Sequence, residues 1–469
     1  MPRTPKNSTA KPYSSSKTPL RKPSAEKHKS QEPRSESKAN TDVLSYRELS
    51  NVWEEWREQP PRTAMDRWLK KQASYRSSLI RQYPLLSLAM YQAQRFQQLA
   101  CALETFYKHP DTDWLTWDKE WHHLDIDALH ISDFWYWVQL RSQERWRWPA
   151  YFNQYDDQKQ AFDDFHTMAQ TPLTPAWMLW HGLRPQWLPL LLERQQHSGW
   201  TDEQLIAWAE QQNTPPPVWL RVNGEHDLDQ LQQQLHDDGI NIKRRGDHLC
   251  ALGGRGINQT RAYKAGHIDI QDLASQQAAF TVGAQPGEKI WDACTGAGGK
   301  TLAMASQMQQ KGAIVATDLH DYKLDELKRR AKRSGYLNIR TFTWDGETPL
   351  RLPKEIQRQQ GFDRVLVDAP CTSSGTWRRN PDARWRFNDE DSAELVQLQR
   401  RLLGLASQAV RVEGTLVYAT CSWQVSENEG IVNDFITQNP QFECLEKRLL
   451  GAPHQDSDTL FVATLVRRS

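Results

Sequence analysis

Two short segments of the sequence each place a cysteine directly after residues that predict a buried strand. Cys371 follows the run Arg364–Val367, and Cys421 follows the run Thr415–Ala419. Because residues that follow parallel strands collect at one edge of a sheet, we expect both thiols to lie where ligands bind. Asp368 stands three residues before Cys371. Two thiols and a carboxylate favour chemistry over packing, although single cysteines in reduced proteins are usually small buried hydrophobic residues.

A glycine-rich turn follows the first predicted strand of the same region. It spans residues 292–301 and reads Asp-Ala-Cys-Thr-Gly-Ala-Gly-Gly-Lys-Thr. A phosphate-binding P-loop would need glycine in place of Cys294, and a dinucleotide-binding turn that starts at Gly296 would need glycine in place of Thr301. The turn therefore favours a nucleoside ligand that requires close approach of the backbone.

Two carboxylates after the next strands suit the same ligand. Asp318 ends the second strand about 20 residues after the turn, where a carboxylate accepts hydrogen bonds from ribose hydroxyls. Asp345 follows the third strand and is placed to accept a hydrogen bond from an adenine amino group. This pattern suits S-adenosylmethionine; the alternative is an ordinary strand–helix turn with capping acids. The residues expected to contact this cofactor are Cys294, Thr295, Gly296, Ala297, Gly298, Gly299, Lys300, Asp318, Asp345 and Asp368.

The elements that must position these groups alternate between strand and helix. The predicted strands are Lys289–Ala293, Ala313–Thr317, Ile339–Thr343, Arg364–Val367 and Thr415–Ala419. The predicted helices are Lys300–Gln310, Tyr322–Ser334, Ser392–Val412 and Glu427–Gln438. Such alternation predicts a parallel sheet covered on both faces, which is a doubly wound, Rossmann-like α/β domain over residues 272–469. A last apolar run, Thr459–Val466, predicts an antiparallel edge strand.

The rest of the chain divides into three parts. Residues 1–42 are rich in Ser, Pro and Lys, which predicts a disordered basic tail. Residues 43–213 show helical periodicity and hold most of the 21 tryptophans, which predicts a Trp-rich helical domain of open function. Residues 214–271 begin with a proline-rich linker and predict a small α+β module. Its basic cluster, Lys243-Arg244-Arg245, is either a phosphate contact or a solvated strand edge.

Composition narrows the protein class. The net charge of +1 gives no argument for nucleic-acid binding. A membrane span would need about 18 or more consecutive apolar residues, and the sequence holds no such run. The six cysteines form no C-x-x-C pair, which argues against a disulfide framework or a zinc site and fits a reducing compartment. We therefore expect a cytoplasmic protein without a bound metal. A monomer is the expected oligomeric state, although no feature of the sequence determines it.

Several motifs in the C-terminal half match one known family. They are Asp368–Cys371 with Gly375, Arg379–Asp382, Thr420–Ser422 and Glu427–Glu429, with support from residues 217–223 and 266–272. With these motifs, the segment from Pro216 to Arg467 resembles the RNA cytosine-C5 methyltransferases of the RsmB/Sun type. The sequence departs from that family at Cys294–Ala297, where the family usually has small residues and a proline before Gly-Gly-Lys.

The resemblance implies a reaction and a role for each group. A thiolate adds to carbon 6 of cytosine and makes carbon 5 nucleophilic toward a methyl group. By resemblance Cys421 is the nucleophile, Cys371 assists release as base or proton relay, and Asp368 holds the pyrimidine. Lys300 is expected to organise charge in the same pocket. The reverse assignment of the two cysteines stays open, since other C5 methyltransferases attack from a Pro-Cys motif.

The substrate implied by the resemblance is RNA, with ribosomal RNA expected and transfer RNA as the alternative. The target base must be unstacked so that its ring faces can be reached. The residues expected to grip phosphates or stack on a flanking base are Arg378, Arg379, Arg384 and Trp385. Two other functions stay open: a non-catalytic RNA-binding or ribosome-assembly factor on a methyltransferase fold, and an enzyme that methylates an exocyclic amine.

Overall fold

The computed structural model describes residues 46–60, 63–142, 152, 155–253 and 256–469. The predicted basic tail, residues 1–42, lies outside the described residues. Among the described helices, none combines the length and the apolar character that crossing a membrane requires.

Helices make up the N-terminal region. Their bounds are α1 Tyr46–Arg57, α2 Met65–Tyr75, α3 Ser77–Lys108, α4 Trp114–Glu120, α5 Ile131–Ser142, α6 Asp156–Met168, α7 Pro175–Trp180, α8 Leu188–Ser198 and α9 Asp202–Gln211. The long helix α3 is central and packs against α2, α5, α6 and α7. Tryptophans form much of the core, and Trp53, Trp135 and Trp137 are fully buried. Most of these aromatic rings therefore pack against each other and are not free to stack on bases.

A small α+β unit follows. Its elements are β1 Val218–Val222, α10 Leu228–Asp237, β2 Ile242–Arg245, β3 His248–Ala251, α11 Arg261–Lys264 and β4 Ile268–Ile270. The strands form an antiparallel sheet in the order β2-β3-β1-β4. Leu220, Leu235 and Leu249 lie in the core between this sheet and its helices.

The C-terminal region is built on a seven-stranded sheet. Its elements are α12 Leu273–Thr281, β5 Lys289–Asp292, α13 Gly299–Gln307, β6 Ala313–Asp318, α14 Asp321–Arg333, β7 Ile339–Thr343, α15 Lys354–Arg358, β8 Phe362–Asp368, α16 Asp389–Ser407, β9 Val410–Thr420, α17 Glu429–Gln438, β10 Phe442–Gly451 and β11 Thr459–Arg467. The strand order is β10-β11-β9-β8-β5-β6-β7. The strands from β9 to β7 are parallel.

Both faces of this sheet are covered, as the continuous apolar strands predicted. Side chains of α12, α13 and α14 pack on one face together with Ile290 and Leu366. Side chains of α15, α16 and α17 pack on the other face together with Trp291 and Val365. Successive strand residues point to opposite faces, so both must be apolar when helices lie on each side. The predicted doubly wound α/β class is confirmed.

Two details of the predicted sheet are wrong. The last apolar run forms β11, but β11 lies between β9 and β10 and is not the edge strand. The antiparallel strand at this edge is β10. Its residues Glu443–Arg448 are mostly charged, so the sequence shows no hydrophobic pattern there. The predicted helix Ser392–Val412 also extends too far, because residues from Val410 onward belong to β9.

Candidate active site

The carboxyl edge of the large sheet brings the two predicted thiols into contact. Cys371 follows β8 and Cys421 follows β9, and these strands are neighbours. The Sγ atoms lie 3.3 Å apart, within hydrogen-bonding distance. Ser373 Oγ lies 3.5 Å from Cys421 Sγ. The two cysteines therefore form one site although 50 residues separate them in the chain.

This contact gives the two thiols opposite acidities. The hydrogen bond with Cys371 lowers the pKa of the Cys421 thiol and outweighs burial, which raises that pKa. Ser373 lowers the pKa further. The same contact, together with burial, raises the pKa of the Cys371 thiol well above its usual value. Because the thiolate is the nucleophilic form, the arrangement favours Cys421 over Cys371 as nucleophile.

A lysine–aspartate ion pair lies beside the thiols. Lys300, in the first turn of α13, places its Nζ atom 2.6 Å from Oδ2 of Asp368 at the end of β8. Burial alone would lower the pKa of the Lys300 ammonium, but the Asp368 charge and its hydrogen bond outweigh burial and raise it. Lys300 is therefore a fixed cation. The Asp368 side chain remains 27% exposed and is accessible to a ligand.

Glu427 connects the two cysteine loops, a role that its sequence motif alone did not reveal. Its Oε1 atom accepts hydrogen bonds from Thr372 N and Gln399 Nε2, each at 2.9 Å. Its Oε2 atom accepts from Thr372 Oγ1 at 2.6 Å. Asn428 braces the second loop by donating from Nδ2 to the Ser422 carbonyl at 2.9 Å. The loop after β8 is therefore fixed relative to the loop after β9.

The glycine turn between β5 and α13 has a conformation that two of its glycines make possible. Gly296 and Gly298 have φ values of 56° and 84°, in the left-handed region that glycine populates without steric cost. Gly296 N donates to Asp318 Oδ2 at 2.9 Å, which joins the turn to the end of β6. A Cβ atom on Gly298 would lie 2.2 Å from Cδ1 of Leu327 on α14. The turn therefore packs too closely on α14 to admit a side chain.

Replacing Gly298 with alanine is expected to destabilise the protein. The positive φ and the clash with Leu327 should lower the free energy of unfolding by about 1–3 kcal/mol. Chemical denaturation monitored by circular dichroism measures this change. The matched control is Gly404→Ala, a helical glycine in α16 with open space around it, which should stabilise the protein by about 0.5–1 kcal/mol. Equal effects of the two substitutions would contradict the strained turn.

Asp292 is a buried acid that the sequence reasoning did not select. It is 1% exposed, and its Oδ2 atom accepts a hydrogen bond from Thr301 Oγ1 at 2.6 Å. Its Oδ1 atom has no hydrogen-bond partner among the described residues. Burial, assisted by Asp368, raises the pKa of the Asp292 carboxyl to about 7. A buried carboxyl with a free oxygen beside a ligand-binding turn suits a cationic group of the ligand.

Two other predicted cofactor residues lie at or just after the ends of the strands next along the sheet, and a third lies within the turn. Asp318 is buried, and its Oδ1 atom accepts from His320 N at 2.9 Å with Lys323 Nζ at 3.4 Å. Asp345 is exposed after β7 and accepts from Glu347 N at 3.0 Å. Burial raises the pKa of the Cys294 thiol, so this third cysteine is not suited to act as a nucleophile.

Two of the four residues expected to grip RNA are enclosed by protein. Arg378 is 2% exposed and Arg384 is 0% exposed. Arg378 donates to the carbonyls of Thr214 and Ser457, each at 3.1 Å, and Arg384 donates to the Gly182 carbonyl. The prediction that these two arginines contact phosphates is wrong, because the Arg378 guanidinium is bonded to the linker and to the loop at Ser457, and the Arg384 guanidinium is bonded to the helical region.

The other two predicted RNA contacts are partly exposed. Arg379 pairs with Asp272 and Asp458 at 2.8 and 3.1 Å. Trp385 donates from Nε1 to the Gln94 carbonyl on α3. Both residues are therefore tied to protein partners, and only a part of each surface is free for a ligand.

A known protein family matches the part of the chain that forms this site. The sequence model described as 16S rRNA methyltransferase RsmB/F matches residues 279–465. The probable ribosomal RNA small subunit methyltransferase B of Bacillus subtilis is 36% identical over 242 residues, which are 50% of this chain and 53% of that protein. Ribosomal RNA small subunit methyltransferase B of Photorhabdus laumondii is 31% identical over 300 residues, which are 61% of this chain and 67% of that protein.

Solved structures share the fold. The crystal structure of PH0851 has a TM-score of 0.62 at 23% identity. The superposition covers 89% of this chain and 97% of the PH0851 chain. A methyltransferase homolog protein from Pyrococcus horikoshii has a TM-score of 0.51 at 25% identity and covers 64% of this chain and 100% of its own. With a matching family model and a relative more than 30% identical over two thirds of its own length, the chain belongs to the 16S rRNA methyltransferase RsmB/F family.

Proposed function

We propose that this protein transfers a methyl group from S-adenosylmethionine to carbon 5 of a cytosine in ribosomal RNA, through a covalent adduct with Cys421. The observation that carries the proposal is the thiol pair at 3.3 Å, with the Lys300–Asp368 ion pair beside it. Family membership supports rRNA as the substrate class. The chain spans 53% and 67% of the two relatives named above, so the substrate is part of the proposal.

The residues around the glycine turn fit the cofactor. When bound, S-adenosylmethionine supplies an electrophilic methyl group attached to a sulfonium. The free oxygen of Asp292 suits the cofactor ammonium, and the fixed carboxylate of Asp318 suits its ribose hydroxyls. Asp345 is exposed after β7 and can accept from the adenine amino group. The left-handed glycines let the backbone approach the ligand closely.

The nucleophilic step follows from the thiol acidities. Cys421 attacks carbon 6 of cytosine as a thiolate, so a carbon–sulfur bond forms and electron density moves to carbon 5. Asp368 holds the pyrimidine at N3 and the exocyclic N4, where it stabilises the protonated adduct. Lys300 keeps positive charge in the pocket, because its pKa is raised by its partner Asp368 despite burial.

Release requires a base near carbon 5. After methyl transfer, loss of the carbon-5 proton and departure of Cys421 restore the aromatic ring. While Cys421 is bonded to carbon 6 it carries no charge, so the main cause of the raised pKa of Cys371 is removed. Burial and Glu427 still raise that pKa, so the thiol proton of Cys371 must first pass to solvent. As a thiolate, Cys371 then accepts the carbon-5 proton directly or through a relay, while the electrons of the carbon–hydrogen bond form the ring double bond and Cys421 leaves as a thiolate.

Replacing Asp318 with alanine is expected to weaken S-adenosylmethionine binding at least tenfold. Hydrogen bonds to a charged group are worth about 1.5–3 kcal/mol each, and about 1.4 kcal/mol corresponds to a tenfold change. Isothermal titration calorimetry without RNA measures the affinity. Asp325→Ala, which removes an exposed carboxylate of α14 paired with Lys328, is the control and should leave binding unchanged. Unchanged binding in Asp318→Ala would contradict the ribose assignment.

The substrate is tested in cells. Bisulfite sequencing of total RNA from a strain that lacks the protein should show loss of one or a few 5-methylcytidine signals in small-subunit rRNA. Re-expression of the wild-type protein should restore them, and re-expression of Cys421→Ala should not. Loss of signals only in transfer RNA would replace the rRNA proposal, and no loss at all would contradict the cytosine-C5 activity.

A further inference from the structure

A buried arginine of the helical region contacts the segment that follows Cys421. Arg194 lies on α8 and is 0% exposed. Its Nε atom donates to the Trp423 carbonyl at 2.6 Å. Its Nη1 and Nη2 atoms donate to Oε1 and Oε2 of Glu429 at 2.8 and 2.7 Å. Paired hydrogen bonds of this kind fix a guanidinium and a carboxylate in one geometry.

The two partners of Arg194 lie at the beginning and at the end of the loop that carries the proposed nucleophile. This loop joins β9 to α17 and begins with Cys421. Trp423 is two residues after Cys421, and Glu429 is the first residue of α17. Arg194 therefore holds the loop near its beginning and at its end from outside the sheet.

Aromatic packing from the helical region supports the same loops. The Trp208 ring on α9 lies 5.6 Å from the Trp423 ring, and the Trp187 ring lies 4.7 Å from the Trp377 ring. Trp377 follows Cys371 in the chain, and its ring lies 5.8 Å from that of Trp423. The tryptophans behind both cysteines therefore share one cluster, and the helical region closes that cluster.

We propose that Arg194 is a positioning residue that holds the Cys421 loop so that the two thiols stay in contact. The inference rests on the proposed function only for its effect on methyl transfer. A hydrogen bond weakens steeply with distance and misalignment, and the Sγ atoms are 3.3 Å apart. A small displacement of the loop would therefore remove the interaction that makes Cys421 acidic. The groups that face the Cys421 thiol are Cys371, Ser373, Asp368 and Lys300.

The test measures the acidity of Cys421 directly. Arg194→Lys keeps the charge but loses the paired geometry, and the double variant Arg194→Met with Glu429→Gln removes both charges together. The rate of Cys421 alkylation by iodoacetamide is followed against pH in the full-length protein by peptide mass spectrometry. In both variants we expect the apparent pKa of Cys421 to rise by about one unit, which lowers alkylation at neutral pH about tenfold.

Methyl transfer provides the second readout. We expect kcat to fall about tenfold in both variants, while KM for RNA and the affinity for S-adenosylmethionine change by less than about twofold, because the lost interaction supports the nucleophile and not substrate binding. Since alkylation needs neither RNA nor cofactor, its result stands even where the proposed methyl transfer fails.

Arg184→Lys is the matched control. Arg184 also belongs to the helical region and pairs with the buried Asp118 at 2.9 Å, but its carboxylate partner lies within that region. This variant is expected to lower the melting temperature without changing the pH profile of Cys421 alkylation. If the Arg194 variants also lose thermal stability and keep the wild-type alkylation profile, the role of Arg194 is structural only and the proposal is wrong.

Discussion

Replacing Cys371 with alanine is expected to trap a covalent complex between the protein and its substrate RNA. Cys421 can still add to carbon 6 and the methyl group can still transfer, but the group that assists elimination is missing. The adduct should therefore accumulate. Denaturing gel electrophoresis detects the shifted species, and mass spectrometry of the digested complex identifies the bonded peptide as the one that contains Cys421.

The controls separate the two cysteines. Cys421→Ala should form no adduct, and its kcat should be at least about 10⁴-fold below wild type because the nucleophile is lost. Cys250→Ala removes a buried cysteine of the small α+β unit and should leave turnover unchanged. An adduct that forms in Cys421→Ala but not in Cys371→Ala would reverse the roles of the two thiols.

Replacing Asp368 with asparagine is expected to lower kcat by about 10²–10⁴-fold. This is the usual effect of removing a side chain that takes part in proton transfer in the transition state. The substitution keeps the shape of the side chain and removes its charge. Lys300 then loses the charged partner that does most to raise its pKa against burial. Single-turnover methylation with saturating cofactor and RNA measures the chemical step.

Asp363→Asn provides the matched control on the same strand. Asp363 lies near the beginning of β8, at the opposite end of the strand from Asp368. It accepts a hydrogen bond from Lys289 N at 2.7 Å and forms an ion pair with Arg411 at 2.8 Å. Loss of these bonds should lower the free energy of unfolding by about 1–3 kcal/mol and leave kcat near wild type. Similar kcat values in the two variants would show that Asp368 has no special role in the reaction.

The sequence predicts the large sheet well because its central strands are apolar on both faces. Runs such as Arg364–Val367 and Lys289–Ala293 coincide with the central strands β8 and β5 to within two residues. The strand β10 is missed for the opposite reason, since one of its faces carries charged residues. Its position at the edge is decided by pairing with β11, which no local pattern reveals.

The sequence predicts the site residues that lie at the ends of strands. It does not predict contacts between the helical region and the C-terminal region. Cys371, Cys421 and Asp368 follow adjacent strands, so strand order alone brings them together. The sequence predicts an RNA contact for Arg384, but the side chain is fully buried and donates to the Gly182 carbonyl in the helical region. The Arg194–Glu429 pair joins residues 235 apart, and only the packing of α8 against the loops that follow β8 and β9 makes this contact possible.

Cys421 is proposed to serve the methylation of cytosine at carbon 5 in ribosomal RNA. The most direct measurement incubates the protein with unmodified small-subunit rRNA and S-adenosylmethionine that carries a deuterated methyl group. The RNA is then digested to nucleosides and analysed by mass spectrometry. We expect labelled 5-methylcytidine with the wild-type protein and none with Cys421→Ala. Label in N4-methylcytidine or in another nucleoside would contradict methylation at carbon 5. Equal labelling by Cys421→Ala would contradict the role of Cys421.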